Sequence, residues 1–309
     1  MIFYALRRLG QSVITLFLVT IVIFVLLRAV PFNNRQSVLP SSATPVQIAH
    51  FNGESAFAQY FRILGQWIRG DFGYSSRLNM SVSTMLAQGL VTTGTLIFFV
   101  LILTAIVAIP LGLLQGVRNG TVFDHVATMV VYVVYTVPMY LSGPILVLIF
   151  AIGLGWFPPI APDEPGLGPI FLGFAGMILP IVTLALPSIA RVARQVRSGV
   201  LGQVDADYVR TAKAKGASRT RILWQHMFRN SLIPVITLLG ALLPILISGA
   251  MIVEAIFDLP GLGYDLWQAS KYYDFPIEIA IVLVSAVATI TMSFIVDLVL
   301  AAVDPRILR

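Results

Sequence analysis

One stretch of the chain carries most of the charged groups that could act on a partner. Five lysine or arginine residues lie between Arg210 and Arg221, and no acidic residue occurs after Asp207 until Glu254. Helix-forming residues flank Gly216 on both sides, so the sequence predicts two short helices that meet at a glycine. A basic segment of two short helices is typical of noncovalent docking onto another protein. The alternative is a basic loop that only fixes topology by its positive charge.

Both halves of this stretch have helical features. Asp205 and Asp207 lie where the first turn of a helix favours negative charge. In the second half, a mostly apolar stripe at helical spacing consists of Ile222, Leu223, His226 and Met227.

A second group of ionisable residues precedes a turn later in the chain. Glu254 and Asp258 are followed by Leu259–Gly263, which contains Pro260, Gly261 and Gly263. Ionisable residues at the end of an apolar segment are functional candidates by default. A turn that only caps a helix is the structural alternative.

Several chemistries have no residues to support them. The three histidines, His50, His125 and His226, share no metal-ligand spacing, so the sequence predicts no metal site. The chain has no cysteine and no phosphate-binding loop of the G-x-x-x-x-G-K-[ST] type. Motifs of serine hydrolases and zinc peptidases are also absent. We therefore expect no catalytic residues and no cofactor bound by this chain.

Composition indicates the class of protein that holds these residues. Of 309 residues, 58% are hydrophobic and 11% are charged, against about 25% charged in soluble domains. This pattern predicts a polytopic, all-α membrane protein in the lipid bilayer. The net charge of +6 reflects basic residues clustered in particular loops, so we expect no nucleic-acid partner.

Long apolar runs divide the chain into one transmembrane domain, 1–309, with six predicted spans. The first is a retained helix, 1–31, rather than a cleaved signal peptide, because its apolar run is long and no cleavage site follows it. An external segment, 32–92, comes next. The remainder, 93–309, is a five-helix core that contains the basic loop at about 199–230. Its apolar runs are predicted at Leu96–Leu114, Val126–Leu154, Met177–Ile189, Ser231–Val253 and Ile279–Val303.

Three local features refine this plan. In the external segment, apolar residues from Phe57 to Ile68 recur at three- and four-residue spacings, which predicts a short amphipathic helix ended by Gly70–Gly73. Seven prolines fall inside four of the spans and predict kinks. Asp297, near the end of the last span, favours a salt bridge at the membrane interface rather than a proton relay.

Basic residues predict the orientation. Fourteen of the 20 lysine and arginine residues fall on the side of the basic loop, and cytoplasmic loops are enriched in these residues. Both termini and Gly216 are therefore predicted to be cytoplasmic, with Ser55 and Tyr264 external.

The basic stretch resembles the cytoplasmic coupling loop, or EAA loop, of the membrane subunits of ATP-binding-cassette importers. Tyr208–Gly216 followed by Arg229–Pro234 is similar to the form found in the dipeptide, oligopeptide and nickel permease family. The Arg7–Arg8 start, Gly70–Gly73 and Pro260–Gly263 also resemble that family. Arg210, Thr211 and Ala212 stand where Glu-Ala-Ala is usual, which excludes a coupling role for a glutamate at this point.

The resemblance implies a bacterial inner-membrane permease with several partners. These are a homologous second permease subunit, two cytoplasmic ATPases that use ATP and magnesium, and an extracytoplasmic solute-binding protein. It implies that the ATPase-coupling residues are Asp207, Tyr208, Arg210, Thr211, Ala212, Lys213, Lys215, Gly216, Ile222 and Leu223. It also implies an external gate or binding-protein contact at Glu254, Asp258, Pro260, Gly261 and Gly263.

The resemblance leaves the solute open. Di- or oligopeptides are the expected substrates, with nickel or another small solute as the alternative. A secondary transporter that acts without ATPases is a more distant alternative, because the sequence shows no acid or histidine near the middle of a span.

Overall fold

The computed structural model describes residues 2–29, 53–75, 77–161, 173–203, 206–218 and 229–303. Two strands of two residues each, β1 (Tyr74–Ser75) and β2 (Met80–Ser81), pair antiparallel. Nearly all other described residues are helical. The helices are α1 (Ile2–Ala29), α2 (Ala56–Ile68), α3 (Val82–Val117), α4 (Val122–Thr136), α5 (Met139–Leu146), a π-helical segment (Val147–Gly153), α6 (Phe174–Leu201), α7 (Asp207–Ala214), α8 (Arg229–Phe257), α9 (Leu262–Tyr272) and α10 (Phe275–Val303).

Five helices of the described ranges are long and apolar enough to cross a bilayer, namely α1, α3, α6, α8 and α10. A sixth span is counted if α4 is joined to α5 and the π-helical segment. The six-span, all-α prediction is confirmed on that count. The helix α3 begins at Val82, well before the predicted apolar run at Leu96–Leu114. The helix α6 continues to Leu201, in agreement with a span predicted to reach Ile189 or beyond.

The third predicted span is not one continuous helix. Its two parts meet at an angle of 105°. Pro138 lies at the break, in an extended conformation with ψ of 143°, and Val137 before it is extended as well. Proline lacks a backbone N–H and disfavours helical geometry in the preceding residue, which explains the bend.

The core of the molecule lies around α6, which packs most closely against α3. A Cβ on Gly112 would lie 2.5 Å from the carbonyl oxygen of Ala193, and one on Gly116 would lie 2.6 Å from a methyl carbon of Val200. Both glycines therefore allow the two backbones to approach closely. The close contact fixes the end of α6, from which the coupling loop emerges.

The amphipathic helix predicted in the external segment is confirmed as α2. Ser55 caps its first turn by accepting a hydrogen bond from the Ala58 N–H. Its inner face places Tyr60 and Trp67 in a cluster with α1 and α10. The helix ends where predicted, because Gly70 and Gly73 both have positive φ. The part of the external segment at residues 30–52 lies outside the described residues.

Candidate coupling site and outer turn

The coupling loop begins with α7, whose two faces differ. Val209 and Ala212 are buried against the protein's own core, whereas Asp207, Arg210 and Thr211 are exposed. Asp207 is the first residue of the helix, where a negative charge is favourable. The predicted coupling residue Ala212 thus anchors the helix, and the exposed side chains form the face that a partner could reach.

Tyr208 and Lys215 lie at the two ends of the same helix. The Tyr208 hydroxyl donates a hydrogen bond to the side-chain oxygen of Gln203, just after α6. Lys215 is exposed, and its N–H donates to the Thr211 carbonyl. The side chain of Lys213 and the residues Ile222 and Leu223 lie outside the part that the structure describes.

Gly216 terminates α7, the first of the two short helices that the sequence predicts to meet at this glycine. Its φ is +77°, and the next N–H, of Ala217, donates to the Ala212 carbonyl at 3.1 Å. This six-residue closure is a Schellman-type C-cap, in which glycine takes the left-handed position. Among the described residues beyond its chain neighbours, no atom lies within 4 Å of where its Cβ would be. The position therefore requires glycine for its backbone conformation rather than for space against the described part of the chain.

An ion pair fixes the last turns of α6, at the end of the helix from which the predicted coupling loop starts. The Arg197 guanidinium donates two hydrogen bonds of 2.8 Å to the two carboxylate oxygens of Asp124. Asp124 is buried and also accepts from the Gly120 N–H at 3.1 Å. The bidentate geometry is the stronger form of this interaction. It couples the α3–α4 connection to the segment that leads into α7.

Sequence reasoning missed this pair. Asp124 lies in a stretch that reads as a short polar loop, and Arg197 is 73 residues away. No local spacing links the two residues, so only the packing of α4 against α6 could reveal the contact. In contrast, the salt bridge predicted for Asp297 is present, with Arg8 at 3.3 Å.

The turn at Asp258–Gly263, called the outer turn because the sequence predicts it to be external, is built around Glu254, near the end of α8. Its side chain is fully buried. One carboxylate oxygen accepts from the Thr93 hydroxyl at 2.7 Å. The other accepts from the N–H groups of Gly263 at 2.6 Å and Tyr264 at 3.3 Å. Glu254 thus caps the first turn of α9 from a different helix, where backbone N–H groups lack helical partners.

Thr93 of α3 completes the same network. Its hydroxyl also accepts from the Leu262 N–H at 2.9 Å, so three helices meet at one buried group of hydrogen bonds. The two glycines of the turn are required for space. A Cβ on Gly261 would lie 2.5 Å from the Glu254 carboxyl carbon, and one on Gly263 would lie 2.1 Å from the Met251 Cα. The helix-capping reading is therefore realised at Glu254.

Exposure differs among the other residues of the turn. Asp258 is exposed and has a φ of +55°, a conformation that aspartate adopts more readily than most residues. Leu259 beside it is buried, and Pro260 is partly buried. In this conformation a binding protein could reach Asp258, whereas Glu254, Gly261 and Gly263 are covered by their own chain. A gating role for the turn stays a prediction.

One face of α8 is left uncovered by the described chain. Ala241, Ile245, Ser248 and Ile252 are exposed at spacings of four, three and four residues, so they form one stripe along the helix. At its outer end the stripe meets an open groove of about 540 Å³ that includes Ile252 and Trp267. This face is available to a transported solute or to another subunit.

Comparisons with known proteins agree with this architecture. Residues 108–309 match the family described as "Binding-protein-dependent transport system inner membrane component". The chain is 33% identical to the oligopeptide transport system permease protein AppB of Bacillus subtilis, over 98% of each chain. It is 30% identical to the dipeptide transport system permease protein DppB of Alkalihalophilus pseudofirmus, over 99% of each chain.

Solved structures show the same fold. The chain resembles an inward-facing MetNI methionine ABC transporter with a TM-score of 0.59 and 16% identity, over 75% of this chain and all of the other. At that identity the likeness concerns the fold alone. The family match and the relatives together establish that the chain belongs to the family of binding-protein-dependent transport system inner membrane components, as a multi-pass permease subunit of an ATP-binding-cassette transporter.

Proposed function

We propose that the chain forms half of the translocation pathway of a peptide importer and transmits the action of partner ATPases through α7 and Gly216. The relatives that cover its whole length are named as oligopeptide and dipeptide permeases, which supports di- or oligopeptides as substrates. The uncovered stripe of α8 supplies a face for the pathway. A second permease subunit supplies the opposite wall, and an external solute-binding protein delivers the substrate.

The observation that carries the coupling proposal is the two-sided character of α7. Its inner face is anchored in the core through Val209 and Ala212, and its outer face is polar and exposed. A partner that displaces this helix therefore moves the core with it. ATP and magnesium are bound by the partner ATPases, and closure of their dimer switches the pathway between two global states.

Substitutions at Gly216 test the proposal because no described residue beyond its chain neighbours lies within 4 Å of a Cβ placed there. Valine is disfavoured at positive φ, alanine less so, and asparagine tolerates this region. Backbone strain of roughly 1 to 3 kcal/mol corresponds to an interface weakened about ten- to hundredfold. We expect ATPase retention and peptide uptake to decrease from Gly216→Asn to Gly216→Ala to Gly216→Val.

Each variant is expressed with its ATPases, and the amount of permease in the membrane is measured first. Equal membrane levels with graded loss of ATPase retention support the proposal. Wild-type retention and uptake in Gly216→Val contradict it, and loss of the permease itself from the membrane makes Gly216 a folding residue. Competition by dipeptides, oligopeptides and nickel ions in the wild-type uptake assay identifies the substrate class separately from the coupling result.

A further inference from the structure

Two arginines near the end of α6 lack an acidic partner. Arg191, Arg194 and Arg197 follow one another at three-residue spacing, and Arg197 is paired with Asp124. Within the ranges that the structure describes, neither Arg191 nor Arg194 forms a salt bridge. The Nε of Arg194 is buried without a hydrogen-bond partner. A buried donor without a partner is costly, so this site has unused capacity for an acceptor.

Two tyrosines of α4 bring these arginines together. The Arg194 guanidinium lies 4.1 Å from the ring centre of Tyr135 and 5.5 Å from that of Tyr132. Arg191 precedes Arg194 by three residues, so the two side chains start from the same side of α6. Two neighbouring positive charges repel each other, and an anion bound between them would remove that cost. Guanidinium groups match the oxygen geometry of phosphate particularly well.

Arg191, Arg194, Tyr132 and Tyr135 form one cluster, and its depth in the bilayer indicates which kind of anion could bind there. Arg191 is 17 residues after Phe174, the first residue of α6, which places it roughly 26 Å along the helix at about 1.5 Å per residue. The hydrocarbon core is roughly 30 Å thick. The cluster therefore lies near the lipid headgroups on the side of the coupling loop. Tyrosine is enriched at this level of membrane proteins.

The surface beside the cluster is suited to acyl chains. Only Asp124 and Val131 of α4 are buried, so this helix lies at the periphery of the bundle. Its exposed side chains next to the tyrosines are apolar, with exposures between 55% and 70% for Val126, Met129, Val130 and Val133. In a membrane such a surface is covered by lipid.

We propose that Arg191, Arg194, Tyr132 and Tyr135 bind the phosphate of an acidic phospholipid in the leaflet on the coupling-loop side. The headgroup occupies the space between the two guanidinium groups, and the acyl chains lie along α4. The bound lipid holds α4 against α6, close to the Asp124–Arg197 pair that precedes the coupling helix. The carboxylate of a transported peptide is the rival anion, because Arg191 also lines a cavity with Leu242 and Ile245 of α8. The exposed apolar surface of α4 beside Tyr132 and Tyr135 favours lipid.

The test uses the whole transporter, purified with its partner chains and reconstituted in nanodiscs of phosphatidylcholine and phosphatidylglycerol. Native mass spectrometry then counts the lipids of each type that stay bound. We expect the wild type to retain phosphatidylglycerol preferentially, and Arg191→Gln and Arg194→Gln each to reduce that retention roughly fivefold. Arg118→Gln is the matched control, because Arg118 is an exposed arginine at the end of α3 and lies outside the cluster.

Three outcomes would overturn the proposal. The first is equal retention of the two lipids by the wild type, a measurement that does not depend on the folding of any variant. The second is unchanged retention in the Arg191→Gln, Arg194→Gln double variant. The third is displacement of phosphatidylglycerol from the wild type by a tripeptide with a free C-terminus but not by its amide, which would assign the cluster to the substrate.

Discussion

Helix α7 and the outer turn are each followed or formed by glycines next to a helix end, but these glycines are needed for different reasons. Gly216 has a φ of +77° and open space around its missing side chain. Gly261 has an ordinary extended φ of −123°, and its missing side chain would collide with the Glu254 carboxyl group. The first glycine is required for conformation and the second for room.

This difference separates the proposed docking surface around Gly216 from a joint internal to the chain. The outer turn has satisfied its polar groups within itself, since Glu254, Thr93 and the start of α9 form a closed hydrogen-bond network. The exposed face of α7 has no such network, because its charged side chains Asp207 and Arg210 point away from the described core. Damage to the turn should therefore appear as lost stability, and damage to the loop as lost coupling.

The largest expected effect comes from adding one methyl group to the outer turn. Gly263→Ala places a Cβ 2.1 Å from the Met251 backbone, so the backbone of α8 or α9 must shift. We expect destabilisation at the upper end of roughly 1 to 3 kcal/mol, measured as a lower midpoint of thermal unfolding and less permease in the membrane.

Gly216→Ala is the matched control, because the same methyl group there meets no atom of the described residues beyond its chain neighbours. It should cost only the strain of the left-handed conformation, roughly 1 kcal/mol, while ATPase retention decreases. The contrast between internal joint and docking surface fails if the two alanine variants lose stability equally.

A middle-sized effect distinguishes a capping role from a charge-dependent gating role at Glu254. Glu254→Ala leaves the Gly263 N–H and the Thr93 hydroxyl without their partner, at a cost of about 2 kcal/mol. Glu254→Gln keeps an oxygen that can accept from the Gly263 N–H and an amide that can donate to Thr93. We therefore expect the glutamine variant to recover most of the thermal stability.

Uptake by the glutamine variant then decides between the two roles. Near-normal uptake means that Glu254 acts as a cap. A stable Glu254→Gln protein with no uptake would instead show that the negative charge itself takes part in transport, and the turn would no longer count as a purely internal joint.

The sequence was sufficient wherever the governing interaction is local. Apolar runs predict the spans, the spacing from Phe57 to Ile68 predicts α2, and the glycine after a helix-forming run predicts the end of α7. Each of these follows from neighbouring residues, because a bilayer forces backbone polar groups to be satisfied within the segment.

The features that the sequence could not predict depend on contacts between distant segments. Glu254 reads as a charged residue beside an exposed turn, and its burial follows only from the approach of Thr93, which is 161 residues away. The helix α9 is likewise not apparent from the periodicity of its sequence. Its first turn is capped by Glu254, which belongs to a different helix, α8. At Pro138 a kink was predictable, but an angle of 105° depends on how α5 packs against α6 and α8.

The smallest effect concerns Asp265, which lies on the first turns of α9 beside Gly89 of α3. Burial raises the pKa of Asp265 to about 7 from an ordinary 3.8, although the Arg77 guanidinium acts in the opposite direction. Between these two pKa values the folded state holds a proton that the unfolded state releases, so stability increases as the pH falls.

We expect the transporter to be about 1.4 kcal/mol more stable at pH 6 than at pH 8 because of Asp265. Asp265→Asn should reduce the difference in stability between the two pH values by that amount, whereas Asp207→Asn, on the exposed face of α7, should leave it unchanged. Thermal unfolding of the three proteins at both pH values measures the effect. A pH dependence as large in Asp265→Asn as in the wild type would mean that the outer turn does not stabilise a protonated carboxyl group at this position.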